Sequence, residues 1–319
     1  MRYRQYLTSI VNHIKVSSAA GALLLVAGSA HAITVSGLNP NSSSYLATSG
    51  SFGDTYSGVA ELSIVRSDLG YGVVEGCSGA LLADGVSILT SAHCIADANG
   101  VERAMSAYVR FTTSTGTYSS QVVSFKVDPS YDGSATSPHD VAVLTLASPA
   151  PATVARYSLY AGDPSDQIMT LAGFGFGGTG ANGYDAIEYP AGTLRVGENQ
   201  YDPYAGTDDL MFDFDDGTTA QADEAFIAPG DAGGPSFIDG KIAGVHSYAE
   251  RIVYPNGSSP DIDNVLDSSF GEVAADSSVT YNLAFIQSAM LLAPEPGLMI
   301  LVGVALVAIA LTGEKRKRR

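Results

Sequence analysis

Apolar residues recur along this chain in short runs separated by clusters of Gly, Pro, Asn and Asp. The runs fall at 59–65, 80–82, 87–90, 107–112, 121–127, 141–146, 168–173, 192–196, 209–214, 235–238 and 242–248. That rhythm predicts a sandwich or barrel rather than βαβ units. At 209–214 the alternation is clean: Leu210, Phe212 and Phe214 share one face, Met211, Asp213 and Asp215 the other. One helical pattern closes the body at 279–292, with Leu283, Ile286 and Met290 at helical spacing. Ahead of the first run, 33–53 is rich in Ser, Gly and Asn and reads as a flexible lead-in. No internal repeat is present.

Two apolar stretches stand outside this rhythm. Arg2, Arg4 and Lys15 precede an apolar run at 19–27, and Ala30-His31-Ala32 places small residues at the spacing of a signal-peptidase site. This predicts a signal peptide over 1–32, export, and a mature chain starting at Ile33. The run is too short to serve as a membrane anchor. At the far end Pro294-Glu295-Pro296 is followed by an apolar stretch at 297–312 and by Glu314-Lys315-Arg316-Lys317-Arg318-Arg319. About 16 residues at ~1.5 Å rise give roughly 24 Å, a marginal transmembrane helix against a ~30 Å hydrocarbon core. The closing cations would hold that end in the cytoplasm. Tripeptide, apolar helix and basic tail, in that order over 293–319, resemble the PEP-CTERM sorting signal of Gram-negative bacteria; an ordinary tail anchor is the alternative. The resemblance implies an exosortase-type processing enzyme as a partner. It also implies transient anchoring in the inner membrane through that helix, then delivery to the cell surface or extracellular matrix.

Removing both ends from the 319 residues leaves enough chain for one large all-β domain. The formal net charge is −17, and the leader and tail carry many of the cations, so the body is more acidic still. Such a surface repels nucleic acid and anionic membrane. Thirty-five glycines and no tryptophan suit a turn-dense β protein. Gly175-Phe176-Gly177-Gly178-Thr179-Gly180 matches a dinucleotide glycine pattern but opens no helix, so it reads as a flexible loop. Asp208, Asp209, Asp213, Asp215 and Asp216 raise the idea of a Ca²⁺ site, yet their spacing is not that of an EF-hand and a solvated strand end explains them. Neither a cofactor nor a metal site is expected.

Three motifs carry the candidate chemistry. Thr90-Ser91-Ala92-His93-Cys94 ends a predicted strand, His139-Asp140-Val141-Ala142-Val143-Leu144 begins another, and Gly230-Asp231-Ala232-Gly233-Gly234-Pro235 is a glycine-rich turn. In type, order and separation (47 residues, then 92) they resemble the histidine, aspartate and nucleophile segments of the chymotrypsin/trypsin-like serine peptidases. The likeness covers most of 54–292. It implies a trypsin-like double six-stranded β-barrel with a C-terminal helix, and a peptide or protein as substrate or ligand. One position departs: the family's Gly-Asp-Ser-Gly-Gly-Pro has its attacking serine where this chain has Ala232.

The resemblance also distributes roles. His93 maps to the general base, Asp140 to the acid that orients it, and the N–H groups of Gly230 and Ala232 to the oxyanion hole. Phe226, six residues before Ala232, maps to the base of the specificity pocket. Ser247, Tyr248 and Ala249 map to the strand whose backbone pairs with substrate; His246 beside them reads as a buried structural residue. Cys77 and Cys94 map to a disulfide that closes the histidine loop. Asp231 maps to the carboxylate that receives a new amino terminus. Ile33 would be an apt one, although it lies about a dozen residues farther upstream than the family places it. An alanine at 232 spares the backbone donors and removes covalent catalysis. Ser236 and Ser91 are not placed to substitute. Two functions follow: a proteolytically silent homologue that binds peptides or matrix partners, or a serine endopeptidase of the bacterial surface, active or knocked out.

Overall fold

A computed structural model describes residues 33–47, 52–70, 73–134, 136–202, 208–216 and 224–291. The predicted leader at 1–32 and sorting signal at 293–319 lie outside these. The chain opens with β1 (Ile33–Val35) and then builds a closed barrel from β2 (Val59–Arg66), β3 (Val74–Leu81), β4 (Ser87–Thr90), β5 (Ala104–Thr113), β6 (Gly116–Val127) and β7 (Ala142–Leu146), ordered β2-β3-β4-β7-β6-β5. Antiparallel pairing of β2 with β5 closes it. Leu62 and Ile64 of β2, Val109 and Phe111 of β5, and Leu144 of β7 fill its interior.

The second half contains β8 (Ile168–Gly173), β9 (Gly177–Thr179), β10 (Gly183–Tyr184), β11 (Arg195–Gln200), β12 (Asp209–Asp213), β13 (Ala225–Phe226), β14 (Pro235–Ile238), β15 (Lys241–Arg251) and β16 (Glu272–Ser278), then helix α1 (Leu283–Leu291). Six of these strands form a sheet ordered β11-β8-β14-β15-β16-β12, and a smaller sheet runs β10-β9-β1-β13. Two six-stranded barrel-like sheets with one short helix match the architecture expected from the sequence.

What joins the halves also places the site. In β4 and β7 every residue is buried, because each strand has a core on both faces. Ile88 and Leu144 point into the first barrel, whereas Leu89 and Val143 pack with Val196, Phe237, Val245 and Ile286 of the second half. Two-sided burial explains why these runs, apart from the small Ser87, Thr90 and Thr145, are apolar on both faces rather than alternating. The strands at this seam are the ones that lead into His93 and out of Asp140.

Several local expectations are corrected. The stretch 33–47 is not a loose lead-in. Ile33, Val35, Tyr45 and Ala47 are buried, Ala47 N–H donates to Leu194 O at 3.2 Å, and Val196 N–H donates to Tyr45 O at 2.8 Å. Ser, Gly and Asn supply its turns, but the interspersed apolar side chains find sheet edges to cover. The glycine stretch at 175–180 likewise contains β9, paired with β1 and β10. The strand expected at 192–196 is shifted to β11. Both faces of β12 are covered: Phe212 is fully buried, and Met211 packs with Val273 and Ala275.

Candidate active site

Beyond Thr90 the chain leaves β4 in a single 3₁₀ turn, Ala92–Cys94, with His93 at its centre. The disulfide Cys77–Cys94 ties this turn to β3 across 6.4 Å between Cα atoms. Asp140, 1% exposed, holds the histidine twice: His93 N–H donates to Oδ1 at 2.8 Å, and ring Nδ1 lies 2.7 Å from Oδ2. A carboxylate facing Nδ1 selects the tautomer with its proton there, which leaves Nε2 as the basic nitrogen. Ser247 Oγ donates to Asp140 Oδ2 at 2.6 Å. Burial alone disfavours an imidazolium, yet the charge and hydrogen bond of Asp140 more than reverse this and raise His93 above its ordinary 6.5. Burial pushes the Asp140 carboxyl up, but the imidazole and the bonds from His93 and Ser247 outweigh it and keep Asp140 below 3.8.

The glycine-rich turn packs against the same region. Gly230 and Gly233 have φ of 99° and 82°, the left-handed region that suits glycine. A Cβ at 233 would stand 2.0 Å from Thr90 Oγ1 and 2.4 Å from Ser78 O, so the turn can press on β3 and β4 only as glycine. Pro229 O accepts from Phe176 N–H at 2.9 Å, and Asp231 O accepts from Gly234 N–H at 2.8 Å. In a trans peptide the N–H points opposite the carbonyl. The N–H groups of Gly230 and Ala232 therefore face away from those partners, and neither meets an acceptor among the described residues.

Ser78, invisible to motif reading, ties this turn to the first barrel. Its N–H donates to Ala232 O at 2.8 Å, its Oγ donates to Gly230 O at 3.0 Å, and Phe174 N–H donates to that Oγ at 2.9 Å. Asp231 is fully buried, its oxygens taking N–H groups from Gly175 at 2.8 Å and Ala228 at 2.9 Å. Ile33 is fully buried in β1.

Other predicted residues divide. Phe226 is fully buried, stacked on Phe214 at 5.3 Å and edge-on to Phe212 at 5.8 Å. It belongs to the aromatic core rather than to the floor of an open pocket, because β1 covers β13 there. Tyr248 and Ala249 are half-buried in β15. The pairing of β15 with β14 ends at Val245, and beyond it β15 pairs with β16 alone, so Ser247 to Arg251 present an edge that no described strand covers. His246 is a buried structural residue as expected, with Nδ1 2.8 Å from Asp276 Oδ1, and Tyr201 OH donates to Asp276 Oδ2 at 2.6 Å. Ser91 and Ser236 are fully buried and open to no substrate. Among the described residues, no group of three or more His, Cys, Asp or Glu could hold a metal ion.

A family model, Trypsin, matches residues 56–262. The chain belongs to the trypsin family. That span contains all three motifs of this member of the trypsin family, and two solved structures share its fold. HL collagenase is 20% identical over 74% of this chain and 94% of its own, with a TM-score of 0.52. Neuropsin, a serine protease expressed in the limbic system of mouse brain, is 18% identical over 74% of this chain and 96% of its own, also at 0.52. No curated protein sequence matches the chain. The trypsin fold and the disulfide fit an exported protein. Among the described residues, no helix is long and apolar enough to cross a membrane.

Buried and half-buried carboxyls are expected to shape the pH response of this trypsin-family domain. Glu272 takes N–H groups from Asp267 at 2.7 Å and Ser268 at 2.9 Å, yet burial pushes it up to about 8. Burial likewise pushes Asp202, Asp209 and Asp231 to about 6. A group whose folded pKa exceeds its unfolded one contributes stability at low pH and loses it as pH rises through the folded value. His93, also raised, acts in the same direction. Asp140 acts oppositely, but only at pH below its ordinary 3.8. Melting temperature should therefore fall between pH 5.5 and 8.5, with Glu272→Gln flattening the slope. Calorimetry across that window is the check; a melting temperature that climbs toward pH 8.5 contradicts the assignment.

Proposed function

We propose that this trypsin-family chain binds peptide segments in a retained peptidase cleft without cleaving them, at the surface or in the extracellular matrix of a Gram-negative bacterium. The observation that carries the reading is the methyl group of Ala232. It occupies the nucleophile position of an otherwise complete arrangement of His93, Asp140, Ser247 and the Gly230 and Ala232 N–H donors. Without an attacking oxygen no acyl-enzyme forms, and removal of a triad member leaves roughly 10³–10⁴ over water, far below a working peptidase. Water activated by His93 does not restore the rate, since nothing holds that water in attacking position. What remains is recognition: the open edge of β15 beyond Val245 can take an extended peptide as an added strand. Gly230 and Ala232 can donate to its carbonyl.

Export and sorting rest on the two ends. The signal at 1–32 sends the chain across the inner membrane. The segment 293–319 anchors it there until an exosortase-type enzyme releases it. The reading is tested on the full chain with casein, a peptide library and a fluorophosphonate probe. No cleavage and no labelling are expected. Turnover or labelling at the rate of an ordinary serine peptidase would replace it with the endopeptidase alternative.

A further inference from the structure

The geometry points to Arg66 as a positioning residue that locks the His93 turn, with Glu75 as its counter-charge; this rests on the reading above that His93 is the base of the cleft. Arg66 follows Leu62 and Ile64 on the inward face of β2 and is only 7% exposed. Its Nη1 donates to the carbonyl of His93 at 2.6 Å and to Glu75 Oε2 at 3.1 Å. Nε and Nη2 fork onto Asp68 at 3.0 and 2.8 Å. All three guanidinium nitrogens are thus engaged, and two carboxylates balance one buried cation. A guanidinium so little exposed is retained at a cost unless its partners are complete.

The consequence for His93 is a three-point grip. Asp140 takes its N–H and faces its Nδ1, and Arg66 takes its carbonyl. With both backbone polar groups of one residue held by oppositely charged side chains, the turn cannot rotate without breaking a charge-assisted hydrogen bond. The charged groups that act on the imidazole come from three elements: Asp140 before β7, Glu75 on β3 and Arg66 on β2. Asp140 and Glu75 favour a proton on the ring and Arg66 opposes it. Arg66 standing alone would drain basicity from the group it orients, and Glu75 offsets that. Fixing a base to a fraction of an ångström matters, because a misplacement of about 1 Å costs on the order of 10²-fold in rate.

The full chain, labelled with ¹⁵N-histidine, tests this by NMR without any catalytic turnover. Arg66→Met should abolish or broaden the downfield Nδ1 proton signal of His93, and Arg66→Lys, a single point donor, should restore it in part. Glu75→Gln keeps an acceptor for Arg66 and removes one charge, so the signal should persist while the His93 titration midpoint falls by about half a pH unit. An unchanged Nδ1 signal in a folded Arg66→Met chain overturns the proposal. Should Arg66→Met fail to fold, an unchanged midpoint in Glu75→Gln overturns it. In an Ala232→Ser background, Arg66→Met should slow probe labelling at least tenfold. Failure of Ala232→Ser itself to label would count against the cleft reading, and the NMR arms would still judge Arg66.

Discussion

Ala232→Ser is expected to turn a chain inert to fluorophosphonates into one that labels at least about 10³-fold faster, since removing a triad serine costs on the order of 10⁶ in the best measured case. The gain should be large because only one atom is missing. Asp140 already fixes the tautomer of His93, and Ser247 already fixes Asp140. Gly230 and Ala232 already present unengaged N–H groups among the described residues. Preorganised donors need no rearrangement to stabilise a developing oxyanion. Two companions tie the gain to the constellation. His93→Gln added to Ala232→Ser should return the chain to silence, and Asp140→Asn should slow labelling by about 10⁴ by favouring the wrong tautomer. If the parent chain labels as fast as the variant, silence is not a property of Ala232.

Loss of the Cys77–Cys94 bridge should have the largest effect on stability. The cysteines are 17 residues apart, and closing a loop of that size contributes about 3 kcal/mol in the chain-entropy description. For a domain of this size that corresponds to a fall in melting temperature of roughly 6–12 °C. Both cysteines also lie in the first-barrel core, so Cys77→Ala with Cys94→Ala trims packed volume and pushes the loss toward the upper end. The bridge joins the turn that carries His93 to the strand that carries Ser78, so the double variant should also disturb the site before it unfolds. Melting the protein with and without reductant measures the effect. Oxidised and reduced forms that melt within about 2 °C of each other would mean that other contacts hold the turn.

Much of the fold could be read from β4 and β7. Their apolar residues on consecutive positions, Ile88-Leu89 and Ala142-Val143-Leu144, report strands buried on both faces, and the motifs at their ends give the order of the site. Legibility failed where a side chain's role comes from a distant neighbour. Phe226 is placed at a pocket floor by its count from Ala232, but the rings of Phe212 and Phe214 and strand β1 enclose it. The stretch 33–47 looks like loop by composition, yet its few apolar residues complete the small sheet. Ser78 belongs to no motif, and its importance lies in a contact 152 residues away with Gly230 O. Arg66 escapes notice for the same reason, 27 residues before the carbonyl it holds.

By itself the sequence determined the all-β class, the motifs that carry the family resemblance and the absence of a hydroxyl at 232; the Cys77–Cys94 pairing was only what that resemblance implied. The class, the motifs and the missing hydroxyl follow from residue identity and spacing along the chain, which survive without any knowledge of contacts. The tertiary structure alone decided the environment of each polar group: the double hold of Asp140 on His93, the anchoring of the turn by Ser78 and the clamp of Arg66. It also decided the burial of Phe226 and the edge of β15 that no described strand covers. Burial and hydrogen-bond geometry are properties of pairs brought together by folding. They are what push Glu272 up to about 8 and leave the Gly230 and Ala232 N–H groups without an acceptor among the described residues.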